Sequence, residues 1–434
     1  MRQQLTSLRL ALATAGPFVA LALALLALAY LLLDPTPPRR VTLATGVAQG
    51  AYAQFGERYA ERLRRHGISV TLRNTQGAAE NLALLRDPAS GVDIAFVQGG
   101  AAEAGDADTL RSLGSMFHEP VWLFYRADSA QRLLRKPQLD RLAQLQGWRV
   151  NIGAPGSGVP HLARRLFEAN GIEPRGGLAL AEQPITPAVA ELLEGRLDAV
   201  VLASAPESLI VQMLLRTPGI ALFDFAQAEA YTRRFGFLSA VTLPRGVVDL
   251  AADQPSQDVR MVAPTATLVA RDELHPALAQ LFVQTASEVH GVSGWFQRKG
   301  DFPNARDGER ALHPEAERFY RSGVPWLQRY LPFWLANLID RMWLALLSIV
   351  AVLLPLSRVV PPLVELRIRS RVFRWYGELR RIESEPGTDV LARLDAIEKK
   401  ANAVQVPLSY ADELYALKSH IQLVRRRLQA DAAP

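Results

Sequence analysis

The stretch Val41-Thr42-Leu43-Ala44-Thr45-Gly46-Val47-Ala48-Gln49-Gly50-Ala51-Tyr52 decides the fold, because it joins a short strand to a helix through a loop bounded by glycines. Val41–Thr45 reads as a strand, Gly46–Gly50 as a loop, and Ala51–His66 as a helix with Tyr52, Phe55, Tyr59 and Leu63 on one face. Downstream, Ile68–Leu72 is a second strand, Gly77–Leu85 opens another helix, and Asp93–Val97 is a third, largely buried strand. Strands alternating with helices at this spacing indicate parallel βαβ units. After a long strand, Val121–Arg126, the pattern recurs: strand Arg149–Gly153, loop Pro155-Gly156-Ser157-Gly158, helix His161–Asn170, helix Pro187–Glu194 ending at Gly195, and strand Asp198–Leu202. The expectation is an α/β domain over 41–325 in two lobes, the first about 41–125 with 236–325 and the second about 126–235.

Ligands of open α/β sheets lie beyond the carboxyl ends of strands, where loops enter helices. Two such lobes facing one another form a cleft able to close on a small solute. Backbone N–H groups at a helix start lack intrahelical partners, and the helix dipole favours negative charge there. Thr45–Tyr52 and Gly156–His161 both offer this arrangement. Gly46, Gly50, Gly156 and Gly158 allow close backbone approach, Thr45 and Ser157 offer hydroxyl donors, and Tyr52 supplies a wall or a phenolic donor. A small anionic solute is the expected ligand. Glu119, ahead of Pro120, is read chiefly as a structural partner of nearby backbone, with a cleft role as the alternative.

Outside this domain, Leu10–Leu33 is 24 residues without a formal charge, where about 20 suffice to cross a bilayer. It reads as a spanning helix or uncleaved signal anchor over 10–33, behind a short cytoplasmic N-terminus at 1–9. Asp34–Arg40 is a Pro-rich linker. A second span is expected over 335–357, with Trp326, Tyr330, Trp334 and Trp343 at interface positions. Between Arg358 and Arg381 there are seven arginines against Glu365 and Glu378, so the positive-inside rule puts 358–434 in the cytoplasm and the two-lobed domain outside. The tail reads as two helices separated by Gln405-Val406-Pro407-Leu408. Ser409 is an N-cap, and Leu391, Leu394, Ile397 and Ala401 face a seam with Leu414, Leu417, Ile421, Val424 and Leu428.

Composition narrows the chemistry. The chain has 434 residues, net charge +6 and no cysteine, which removes disulfides, thiolate metal sites and a Cys nucleophile. The positive excess is concentrated after the second apolar segment and gives no nucleic-acid patch. Gly153–Pro160 continues with Val159-Pro160 where a phosphate-binding loop needs Lys-Ser/Thr, and Ser157 lies outside a Gly-x-Ser-x-Gly elbow. The seven histidines show no metal-ligand spacing. These patterns weigh against nucleotide hydrolysis, a serine hydrolase and a zinc site, and no cofactor or metal is expected.

Several runs together resemble the TAXI family of TRAP-transporter solute-binding proteins over about Val41–His290. They are the Thr45-Gly46 to Tyr52 loop, Gly77-Ala78-Ala79-Glu80-Asn81-Leu82, Asp93-Ile94-Ala95-Phe96-Val97-Gln98, Gly153-Ala154-Pro155-Gly156-Ser157-Gly158, and Gly195-Arg196-Leu197-Asp198-Ala199. Ala78 and Val159 depart from the family's usual Ser and Thr. The resemblance implies a type II periplasmic-binding-protein fold and capture of small, often carboxylate-bearing solutes without catalysis. With it, the ligand-binding set is Thr45, Gly46, Gly50, Tyr52, Asn81, Gln98, Ser157 and Gly158, with amide contacts from Asn81 and Gln98. Two spans cannot form a transport path, so the expected partners are separate membrane permease subunits and the lipid bilayer. The alternative is a transmembrane sensor signalling through the cytoplasmic tail.

Overall fold

Alternating strands and helices in Thr36–Leu338 assemble as two mixed sheets. The strands are β1 (Arg40–Ala44), β2 (Ser69–Arg73), β3 (Ile94–Gln98), β4 (Leu110–His118), β5 (Val121–Arg126), β6 (Arg149–Asn151), β7 (Ala179–Ala181), β8 (Ala199–Ala203), β9 (Ile220–Leu222), β10 (Leu238–Leu243) and β11 (Val259–Arg271). The computed structural model describes residues 2–33, 36–102, 105–172, 177–306, 308–384, 389–403 and 411–431.

The first sheet runs β2-β1-β3-β11, with β4 on the far side of β11 and β10 pairing its N-terminal half; the second runs β7-β6-β8-β5-β9. β1 pairs in parallel with β2 and β3, and β6 with β7 and β8. β11 is antiparallel to β3 and β4, and β5 to β8 and β9. Each lobe therefore repeats one plan: three parallel strands with helical crossovers, then an antiparallel strand that arrives from the other lobe. All five residues of β3 are buried, as expected for a strand covered on both faces. The helix Ala51–Arg65 packs Tyr52, Phe55, Tyr59 and Leu63 onto this sheet, the face its spacing predicts. In β5 alternate residues enter different cores, Val121, Leu123 and Tyr125 on one side and Trp122 and Phe124 on the other.

Two chain segments cross between the lobes. One is Glu119-Pro120, between β4 and β5. The other is β11, whose Val259, Met261 and Val262 join second-lobe cores while Leu268 and Ala270 join the first-lobe core. The crossings are hydrogen-bonded where they meet, Glu119 N donating to Pro264 O at 2.9 Å. The expected lobe boundaries change accordingly. β5 and β10 pack with the second lobe, so the first lobe ends at Glu119 rather than 125 and resumes within β11 rather than at 236. The strand changes cores around Pro264 without leaving the extended conformation, so no gap between elements marks the change.

The flanking segments are helical. The N-terminal helix is Arg2–Leu33, with the apolar stretch Phe18–Leu33 in its second half. The helix Phe333–Ser384 opens with Phe333–Leu356, 24 residues of mean hydropathy 1.9 with only 11% buried. It is long and apolar enough to cross a membrane, and Leu344, Leu347 and Val350 are exposed rather than packed in a core. At the other end of the same helix Leu379 and Ile382 pack with Leu394, Ile397 and Ala401 of Val390–Ala403 and with Leu417, Ile421 and Val424 of Ala411–Asp431. The tail cluster thus has three members where a hairpin of two was expected, and Leu391 is exposed instead of facing the seam. Asp34-Pro35, the 405–408 break and the Ser409 cap lie outside the described residues, as do the side chains of Leu414 and Leu428.

Candidate functional site: the cleft between the lobes

A cavity of about 110 Å³ lies between the two sheets, walled by 46–47, 49–52, 76–77, Gln98 and Glu119 of the first lobe and by 153–154, Ser157, Val159, 184–185, 201–204, Ser208 and Ile210 of the second. Four helices of nine or more residues begin on it. Ala51–Arg65 and Ala78–Arg86 start at Gly50 and Gly77, and Val159–Ala169 and Ile185–Leu193 start beside Ser157 and at Pro184. Among the described residues none has a capping bond from its N-cap side chain, although Val159 N–H donates to Ser157 Oγ at 3.4 Å. Their first-turn N–H groups and dipoles give the cavity a positive potential without a basic side chain. Among the described lining residues none is Arg, Lys or His.

The acid at the floor of the cavity is Glu119, 3% exposed. Its Oε2 accepts from Tyr52 Oη at 2.9 Å and from Gln98 Nε2 at 3.4 Å. Tyr52 is held for this contact by stacking on Phe96, ring centroids 5.1 Å apart. Burial pushes the Glu119 carboxyl up to about 8, and the bonds from Tyr52 and Gln98 only partly oppose the rise. Burial likewise holds the Tyr52 phenol well above its ordinary value, with the Glu119 charge adding to it. Glu119 thus lines the cavity while its backbone N–H bonds across to β11, so features of both readings weighed for it are present. The signal in the sequence was an acidic residue joined to Pro120 directly ahead of the apolar run Val121–Tyr125.

The lobes touch beside the cavity. A Cβ on Gly77, whose φ is +136°, would lie 3.0 Å from Ser157 Cα, and one on Gly156 would lie 2.8 Å from Gln76 Cβ. Gly158, at φ +82°, faces Ala78 and Gln98 Oε1. The small residues at 77, 78, 156 and 158 are what allow the loops to meet.

Of the expected binding residues, Gly46, Gly50, Tyr52, Gln98 and Ser157 line the cavity, whereas Gly158 lines the adjoining space behind Gln98. Thr45 and Asn81 do not reach it. Asn81 Nδ2 donates to the Thr45 and Phe96 carbonyls, and its Oδ1 accepts from Thr75 Oγ1. Thr45 Oγ1 points to the Arg73 carbonyl and Asn74 Oδ1. Both side chains brace the first loop from behind, because a loop that presents its N–H groups forward must have its carbonyls satisfied. Ser157 Oγ donates to Ala154 O at 2.7 Å, so its hydroxyl proton is committed to its own turn and not offered to a ligand. Asp198, in the turn after Gly195, is a brace as well. Burial alone would raise its pKa, but bonds from Arg149 and Ser129 bring it down to about 2.

The profile of the NMT1-like family matches residues 43–322, nearly the whole of this two-lobed unit. The chain belongs to the NMT1-like family. Its members' domain is a mixed α/β, two-sheet, periplasmic-binding-protein-like fold, in agreement with the type of architecture expected from the sequence. Among solved structures, the chain is similar to an amino acid ABC transporter substrate-binding protein from Streptococcus pneumoniae bound to L-arginine, at 13% identity over 58% of this chain and 89% of that one, TM-score 0.35. It is similar to an alkanesulfonate-binding protein from Xanthomonas axonopodis pv. citri bound to MOPS, at 14% identity over 59% and 75%, TM-score 0.39. A regulatory domain from Synechocystis in complex with 2-PG is 14% identical over 58% and 98%, TM-score 0.38.

Proposed function

We propose that this NMT1-like chain is a membrane-anchored extracytoplasmic receptor that captures a small anionic solute between its lobes and presents it to separate permease subunits. The observation that carries the reading is the convergence of four helix N-termini, none bonded by its N-cap side chain, on a cavity whose described lining has no basic side chain. Such a site favours an oxyanion through backbone N–H groups and dipoles. A carboxylate fits this chemistry, and the resemblance to TAXI solute-binding proteins of TRAP transporters names a permease type that would accept it. Gly46, Gly50, Tyr52, Gln98 and Ser157 form the walls of the proposed site, with Glu119 added and with Thr45, Asn81 and Gly158 supporting it. Catalysis plays no part in this role.

The test is native mass spectrometry of the full chain purified in detergent, with small molecules ejected from the folded protein and identified. A carboxylate or another oxyanion is expected. Recovery of a cationic solute alone, or an empty cleft after exposure to a panel of small anions, would overturn the reading. A second reading, a sensor, is favoured by the continuity of the helix Phe333–Ser384 from the apolar stretch to the tail cluster. Cross-linking in membranes separates the two, a multi-span permease partner supporting transport and a cytoplasmic regulator supporting sensing.

A further inference from the structure

Glu119 is the one acidic residue in the described lining of a cavity read as anionophilic, and its placement resolves that conflict. Its two oxygens are not equivalent. Oε2 already accepts from Tyr52 and Gln98, and among the described residues no hydrogen bond is made to Oε1. In an un-ionised carboxylic acid the oxygen that accepts two hydrogen bonds is the carbonyl-like one, so the proton resides on the other. Here that is Oε1. Resting on the reading of the cleft as an oxyanion site, we propose that Glu119 stays protonated in the bound state and donates a hydrogen bond from Oε1 to an oxygen of the solute. The solute class is a small carboxylate or sulfonate, and Glu119 selects against a ligand that presents an ammonium group at this position.

The balance is simple. Below the titration of Glu119 the protonated receptor binds the anion with no change in bound protons. Above it, capture takes up one proton from water, so the ionised receptor, one proton and the anion give one neutral-acid complex. The groups facing Glu119 do not titrate in the same range. Tyr52, on the first turn of its helix, is held well above 10. The neighbouring His118 abuts Phe302 and is drawn down to about 4 by burial, against the opposing effect of Asp301. Gln98 from β3 and Pro264 and Thr265 from β11 carry no charge. The Glu119 carboxyl, near 8, is therefore the group that sets the pH dependence of binding between 7 and 9.

The experiment uses the full chain in nanodiscs, titrated calorimetrically with mono- and dicarboxylates and alkylsulfonates of two to six carbons, and with alkylamines of the same lengths. The anions keep their charge across this range, so any change belongs to the protein. The parent is expected to bind the anion about tenfold more weakly at pH 9 than at pH 7, with one proton taken up per solute at pH 9 when buffers of different ionisation enthalpy are compared. Glu119→Gln keeps a donor at the same place without a titrating proton, so its affinity should be the same at pH 7 and pH 9. Infrared spectra of the parent at pH 7 should show a protonated carboxyl band absent from Glu119→Gln, which tests the protonation state without any ligand. Anion binding of equal strength at both pH values, loss of binding in Glu119→Gln with a retained fold, or an ionised Glu119 at pH 7 overturns the proposal while leaving the anion site standing. Binding of amines in place of anions overturns both.

Discussion

His290 is enclosed by Phe55, Tyr59 and Phe117, and among the described residues its Nε2 has no hydrogen-bond partner. Burial, with help from Arg58 and Arg62, brings its pKa down to about 3 from 6.5. A lowered histidine contributes stability that is complete above the unfolded value and is lost as pH falls from 6.5 toward 3, by about 1.4 kcal/mol per pH unit. Melting curves of the full chain should therefore show Tm falling below pH 6.5, and His290→Phe should flatten that fall. Equal slopes in parent and variant would refute this account. Glu119 has the opposite sign. Its folded value near 8 lies above 4.5, so its contribution is complete below pH 4.5 and is lost as pH rises toward 8. Glu119→Gln should raise Tm at pH 8 and leave it unchanged at pH 4. At this scale the sequence put Tyr52, Gln98, Thr45 and Asn81 in one expected binding set, of which Tyr52 and Gln98 line the cavity and Thr45 and Asn81 do not. All four lie at or just inside the element ends that meet at the first loop, and only the direction of each side chain decides which lines the cavity.

At the scale of elements, the loop 76–79 and the short turn Pro155–Ser157 are pressed together by the absence of side chains. Gly156 is the clean place to test this, because a Cβ there meets Gln76 at 2.8 Å and the backbone conformation requires no glycine. Gly156→Ala should leave the unliganded Tm within about 1 °C and weaken solute binding at least tenfold, since the lobes can no longer meet. A variant that binds as tightly as the parent would show that the contact is dispensable. Gly77→Ala is a poorer probe, since its φ of +136° adds strain to the clash. The glycines were legible in the sequence as loop residues. That they face each other, one from each lobe, was not, because nothing local to either loop records the distance between them.

For the whole molecule, the arginines after the apolar start of Phe333–Ser384 predict that the C-terminus is cytoplasmic and the two-lobed unit is outside. A reporter fused at residue 434 should be active only in the cytoplasm, and one inserted at the exposed Leu250 only outside; the reverse pattern would sink this topology. Glu119 and the hinge beside it show where reading the chain in order stops being enough. The sequence by itself determined the alternation of strands and helices, the apolar face of Ala51–Arg65, the glycine-bounded loops and the long apolar helix before the arginines, because each depends on the periodicity or composition of a continuous segment. Tertiary structure alone decided that β5 and β10 belong to the second lobe, that β11 serves both, and that Asn81 braces the loop while Glu119 lines the cavity. Those outcomes depend on pairings between residues distant in the chain, such as Tyr52 with Glu119, Asn81 with Thr45 and Glu119 with Pro264, and on the burial that the pairings create.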